Sequence, residues 1–237
     1  MRASRILMAT ILIAVSTLSA FARGNEARVR VVHASPDAPA VDVLVEGAPA
    51  FRGVAFGEIT DYAKLPAGLY DVQVVPAGAS SPVVIDLTGA NAVNLFYNRS
   101  YTAVALNTLE EIEPLLLEDD ARPAPVPFAR VRFVHASPDA PAVDIAVKNG
   151  PVLFRNVAFK EVGSYIEVPR GIYNLEVRPT GSSVVALALP NVRLDGGTTY
   201  TVFATGFLSG SPALGVAVAV DALNPALLNG RGDRPWR

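Results

Sequence analysis

The ten residues from His33 to Asp42, HASPDAPAVD, return unchanged from His135 to Asp144, and these two segments hold both histidines of the chain. The match extends outward: Ala27 to Val45 and Ala129 to Val147 agree at 16 of 19 positions, differing only at Val31/Phe133, Val43/Ile145 and Leu44/Ala146. A chain so duplicated must fold as two copies of one unit, with a period of roughly a hundred residues set by the internal repeat.

Each copy opens with an alternating run. Val29, Val31 and His33 fall on one face of a strand and Arg28, Arg30 and Val32 on the other, repeated as Val131, Phe133, His135 against Arg130, Arg132, Val134. The arginines mark their face as wet, which places each histidine, semi-buried, at the end of a core-facing row. Ser35-Pro36-Asp37-Ala38-Pro39 then forms a rigid corner, because proline presets φ and Ser and Asp side chains bond nearby backbone. A second strand resumes at Val41, Val43 and Val45 with Asp42 outward, within reach of Arg30, as Asp144 would be of Arg132.

Further short strands are expected around Ala55-Phe56 and Tyr62, and around Ala158-Phe159 and Tyr165. Pro66-Ala67-Gly68-Leu69-Tyr70 and Pro169-Arg170-Gly171-Ile172-Tyr173 lead into strands whose first tyrosine ties its hydroxyl to neighbouring backbone, a β-sandwich device. No stretch carries a sustained helical stripe. Short runs broken by Gly and Pro predict an all-β chain of two tandem immunoglobulin-like or transthyretin-like β-sandwich domains of about seven strands each. The boundaries read as 23–118 and 128–225, joined by a Pro-rich, semi-rigid linker over 119–127 and followed by a flexible tail over 226–237.

The chain begins with Arg2 and Arg5, an apolar run from Ile6 to Leu18, and Ala20-Phe21-Ala22, the pattern of a signal peptide over 1–22 cleaved after Ala22. That run is shorter than the roughly 20 residues of a spanning helix, so no transmembrane anchor is expected after cleavage. With no cysteine, neither a lipidated N-terminus nor disulfides are available. Two units of about 95 residues can bury enough surface without them. Removing 1–22 leaves 18 basic and 22 acidic residues, a balance without the positive surplus of a nucleic-acid interface. The expected product is a secreted protein, extracellular or periplasmic.

The motif V-H-A-S-P-D-A-P-x-V-D resembles the signature of an exported prokaryotic family, domain of unknown function 4397, over Ala27 to about Leu223. That resemblance implies a secreted or envelope-associated β-protein with tandem units, and supplies no reaction, ligand or catalytic residue.

Candidate site residues are His33, Ser35, Asp37 and Asp42 with His135, Ser137, Asp139 and Asp144. A Ser-His-Asp triad needs the hydroxyl at the imidazole, yet residues two apart on a strand stand about 6–7 Å apart, and no oxyanion loop adjoins; no catalytic residue is assigned. Calcium or a transition metal is the rival, one His and two carboxylates per corner falling short of a closed zinc site. The bland reading is a folding corner, each imidazole bonded to backbone where the strand breaks, and a surface epitope is the remaining one. No cofactor is called for. A non-enzymatic interaction or structural module with a protein or carbohydrate partner at the envelope follows. Lesser features are Arg231-Gly232-Asp233, an integrin-type tripeptide; the sequon at Asn98; the acidic stretch Glu110, Glu111, Glu113, Glu118, Asp119 and Asp120, read as a solvated face; and Trp236, the sole tryptophan.

Overall fold

A computed structural model describes residues 25–225. The signal-peptide segment and the tail with Arg231-Gly232-Asp233 and Trp236 lie outside the described residues. The first copy runs β1 Glu26–His33, β2 Val41–Val45, β3 Ala48–Val54, β4 Ala63–Pro66, β5 Gly68–Tyr70, β6 Val72–Pro76, β7 Ile85–Leu87, β8 Val93–Leu95, β9 Ser100–Leu106 and β10 Glu113–Glu118. The second runs β11 Phe128–His135, β12 Val143–Val147, β13 Val152–Val157, β14 Ile166–Pro169, β15 Gly171–Pro179, β16 Leu187–Leu194, β17 Thr198–Thr205 and β18 Gly215–Leu223. Strand β15 spans what β5 and β6 cover in the first copy, and β16 what β7 and β8 cover. Counted that way, each unit has eight strands against the expected seven or so.

Both units are two-sheet sandwiches of the same topology. One sheet has the order β10-β9-β1-β4, matched by β18-β17-β11-β14; the other has β3-β2-β6-β7, matched by β13-β12-β15-β16. Strands β1 and β9 pair in parallel, as do β11 and β17, while every other pairing between these strands is antiparallel. The core-facing row of β1 packs Val31 against Val41, Val43, Val54 and Val74; in the second unit Val131 and Phe133 meet Val143, Ile145 and Phe154. Tyr70 and Tyr173 donate to the Pro66 and Pro169 carbonyls at 2.7 and 2.5 Å, the tyrosine tie expected from the Pro-x-Gly-x-Tyr segments.

The four expected short strands do not form at the named residues: β4 and β14 begin one residue after Tyr62 and Tyr165, and Ala158-Phe159 turns as Ala55-Phe56 does. Ala55-Phe56 forms a turn and Tyr62 sits in irregular chain, because Glu58 turns its carboxylate back onto the Ala55 N–H (3.0 Å) while Gly57 N–H bonds the His33 carbonyl (2.8 Å). Glu161 closes the same turn on Ala158 at 2.8 Å. Side-chain capping here replaces a ladder.

The second face of β1 and β11 is dry, which corrects the expectation from the arginines. Val32, Ala34, Val104, Leu106 and Leu117 of the first unit form one buried cluster with Val134, Ala136, Phe203, Ala217 and Ala219 of the second. The molecule is therefore four sheets deep, with β1 and β11 buried on both faces. Arg30 and Arg132 are 3% and 4% exposed in this interface, and they do not pair with Asp42 or Asp144. Instead each crosses to the other unit: Arg30 Nη2 to Asp221 Oδ1 and Nη1 to the Val220 carbonyl (2.9 Å), Arg132 Nη2 to Asp119 Oδ1 and Nη1 to the Glu118 carbonyl (2.9 Å). Their Nε atoms bond Thr102 (2.9 Å) and Thr201 (2.7 Å) of their own units.

Each aspartate is completed locally. Asp119 Oδ2 accepts from Tyr62 (2.6 Å) and Thr102 (2.7 Å); Asp221 Oδ2 accepts from Tyr165 (2.7 Å) and Thr201 (2.6 Å). The tyrosine rings also lie under the guanidiniums, 4.5 Å for Arg30 over Tyr62 and 4.7 Å for Arg132 over Tyr165. Burial holds both phenols well above the ordinary tyrosine range, so they remain donors. Asp119 thus departs from the solvated acidic face expected of its neighbours. The segment after it is also tied down: Asp120 pairs with Arg122 and Arg130 (2.9 and 3.0 Å), Thr199 donates to the Arg122 carbonyl at 2.8 Å, and Ala124 is buried.

A buried ion pair roughly breaks even against desolvation, whereas losing one partner strands a charge and costs about 3–5 kcal/mol. Arg132→Met should therefore lower the unfolding free energy by about that amount. Arg132→Met combined with Asp119→Asn, which removes the stranded charge and keeps acceptors for Tyr62 and Thr102, should lose clearly less. Urea unfolding of both variants checks the ordering; equal losses would mean that the charge is not what the site balances.

Candidate functional site

The two decamers lie where β1 and β11 leave the central sheets. Both imidazoles are more deeply placed than expected, at 0% and 1% exposure. Nδ1 of His33 accepts the Ser35 N–H at 3.3 Å and Nε2 lies 2.9 Å from the Pro39 carbonyl; His135 repeats this with Ser137 (3.3 Å) and Pro141 (3.0 Å). A carbonyl can only accept, so Nε2 carries the proton and Nδ1 is the bare nitrogen. Each ring bridges the two ends of its proline corner. Phe56 and Phe159 stand edge-on to the rings at 6.4 and 6.2 Å between centroids. Burial pulls both histidine pKa values below the ordinary range, and the carbonyl partner opposes it.

The carboxylates are engaged with backbone as well. Asp37 accepts the Leu109 N–H at 2.7 Å, and Asp139 those of Leu208 and Ser209 at 2.6 and 2.9 Å, so each corner anchors the loop leaving the adjacent parallel strand. Asp42 accepts from Gly53 (2.6 Å) and Gly78 (3.0 Å); Asp144 accepts from Asn156 (2.8 Å) and Gly181 (3.3 Å). All four donors have positive φ, between 50° and 75°, so one carboxylate holds two left-handed turns, one on each neighbouring strand. Those N–H bonds lower the Asp42 and Asp144 pKa values.

The serines differ between copies. Ser137 Oγ donates to the Gly206 carbonyl at 2.6 Å, while Ser35 Oγ is fully buried without a hydrogen-bond partner. Neither hydroxyl lies at an imidazole nitrogen, so His33, Ser35 and Asp37 do not form the triad geometry, nor do their counterparts. Among the described residues no three His, Asp or Glu side chains converge as metal ligands do, and Asp37 and Asp42 each point away to separate turns.

Sequence reasoning missed the densest polar constellation: Arg30, Tyr62, Thr102 and Asp119 with Arg132, Tyr165, Thr201 and Asp221. A signal was present. Each copy puts an apolar valine, Val32 or Val134, on the same face as its arginine, which a wet face does not require.

No curated protein matches the chain. Among solved structures, the Bacillus anthracis TIE protein matches at 13% identity and a TM-score of 0.23, covering 78% of this chain and 34% of its own, so the chain spans about a third of that protein. The sequence model described as "Domain of unknown function (DUF4397)" matches residues 27–146 and 129–227, two segments that begin at the two copies and overlap over 129–146. Two copies of the decamer, each at the corner of its own sandwich, thus lie within matches that cover most of the chain, which belongs to the DUF4397 family.

Proposed function

We propose that the chain is an exported, non-enzymatic interaction or structural module of the cell envelope or extracellular space, acting on a protein or carbohydrate partner. The observation that carries this reading is the use made of the decamers: apart from the serine hydroxyls, their polar side chains are spent on backbone, the histidines within the corner and the aspartates on turns and loops of the same sandwich. A group so engaged is a poor nucleophile, base or ligand. The buried exchange of Arg30 and Arg132 between sandwiches supports a body that presents its surfaces in one arrangement. Leu69, Phe96 and Tyr97, exposed at 65%, 60% and 57% beside the β5–β8 ribbon, offer the apolar and aromatic surface that partners use. Among the described residues no helix is long and apolar enough to cross a membrane.

Export is checked by expressing the chain with and without residues 1–22 in a bacterial host. The full chain should appear outside the cytoplasm with Arg23 as its first residue; cytoplasmic retention of both forms sinks the proposal.

The corner reading is checked by His33→Ala with His135→Ala, which should lower the melting temperature and flatten its pH dependence. In the folded protein each histidine resists protonation, whereas in the unfolded chain it takes a proton near its ordinary pKa of about 6.5. Stability is therefore full above about pH 6.5 and falls as the pH drops from there towards the folded pKa, by at most about 1.4 kcal/mol per pH unit for each histidine. Urea midpoints between pH 7.5 and 5 should show this slope in the wild type and lose it in the double variant. Unchanged stability with loss of a calcium- or zinc-induced thermal shift would favour a metal site instead, and labelling of Ser35 or Ser137 by a fluorophosphonate would favour a hydrolase.

A further inference from the structure

The core of the second sandwich is not filled. A cavity of about 120 Å³ lies between its two sheets, walled by Phe133, Leu175, Leu189, Val202, Val216 and Val218 among others. Its lining side chains are partly exposed on β13, β15, β16, β17 and β18, and the most exposed of them, Arg193 and Val218, stand on the edge strands β16 and β18, so it opens where those edges face each other. The wall is hydrocarbon. Arg193 at the rim keeps its guanidinium on Asp195 (Nε to Oδ1, 2.8 Å), and the Tyr200 hydroxyl accepts the Asp195 N–H at 3.3 Å.

One wall is smaller than its counterpart, Val218 aligning with Leu116, and others are larger. The strand registers align Phe133 with Val31, Ile145 with Val43 and Val202 with Ala103, so three walls carry bulkier side chains than the first sandwich does. Interiors otherwise pack to crystal-like density, and an apolar cavity of about 150 Å³ stays dry and admits benzene.

We propose that this cavity is a binding site for a neutral apolar group about the size of one aromatic ring or a short branched alkyl chain. A ring fits the volume, and the open edge lets a larger molecule extend outward. A charged head inside would find no free polar partner, which makes its burial unfavourable.

Benzene titrated into the purified protein, followed by methyl NMR and thermal unfolding, tests this. Saturable shifts are expected at the methyls of Leu175, Leu189, Val202 and Val218, with a rise in melting temperature of roughly 5 °C or more at a hundredfold excess over Kd. Val202→Phe should fill the space and abolish the saturable shifts; if it does not fold, Val218→Phe at the exposed edge is read the same way. Benzoate should not bind. The absence of saturable shifts in the wild type, their persistence in the filled variant, or equal binding of benzoate would overturn the proposal. None of these readouts depends on export or on the decamers.

Discussion

The structure depends on two arginines that leave their own sandwich to reach an aspartate in the other. A guanidinium taken out of water needs its charge matched and its donors used. Arg30 meets that requirement with Thr102 of its own unit and Asp221 and the Val220 carbonyl of the other, with Asp119 of its own unit a further 3.7 Å contact, and Arg132 with Thr201 of its own unit and Asp119 and the Glu118 carbonyl of the other. Each sandwich takes its shortest carboxylate contact for the buried arginine from the other. The apolar side chains around them supply most of the stabilisation, since burying a Val, Leu or Phe contributes about 1.5–3 kcal/mol while an ion pair nears break-even. What the charges add is orientation, because a slip of one sheet over the other would strand all four.

That arrangement explains the duplication in physical terms. A sheet with both faces apolar must be covered twice, and the second copy supplies the cover for the first. The result is an intramolecular counterpart of a two-fold dimer, in which the same patch serves on both sides. It also explains why the Ala27–Val45 segment is so little changed from Ala129–Val147. Val29 and Val31 serve the sandwich core, Arg30 and Val32 serve the interface, and His33 and Asp42 fasten the corner and two turns, so few positions are left without a task.

How much was legible follows from the range of each cause. The β class, the duplication, the proline corner and the tyrosine tie rest on local pattern and were read from period-2 alternation and turn chemistry. The wet face assigned to Arg30 was an error of range: local pattern cannot distinguish an arginine facing water from one facing a partner 191 positions away, as Asp221 is. The expected strands at Ala55 and Tyr62 failed because Glu58 closes its own turn, which alternation does not register. In the decamer, residue types suggested a triad, and only the direction of each bond, towards backbone, set that geometry aside.

The two copies also differ, and the differences are placed unevenly. Decamers, tyrosine ties and the exchanged ion pairs are held in common, as expected of parts that each sandwich needs in order to fold. Divergence falls in the strand that is broken at β7 and β8 but continuous as β16, in the partner of Ser137 that Ser35 lacks, and in the walls of the second core. A residue constrained by folding has no freedom to specialise after a duplication, whereas a wall that can open does. By that argument the most repeated stretch of this chain is the least informative about its ligand, and the chemistry particular to it belongs to the second sandwich, between β16 and β18.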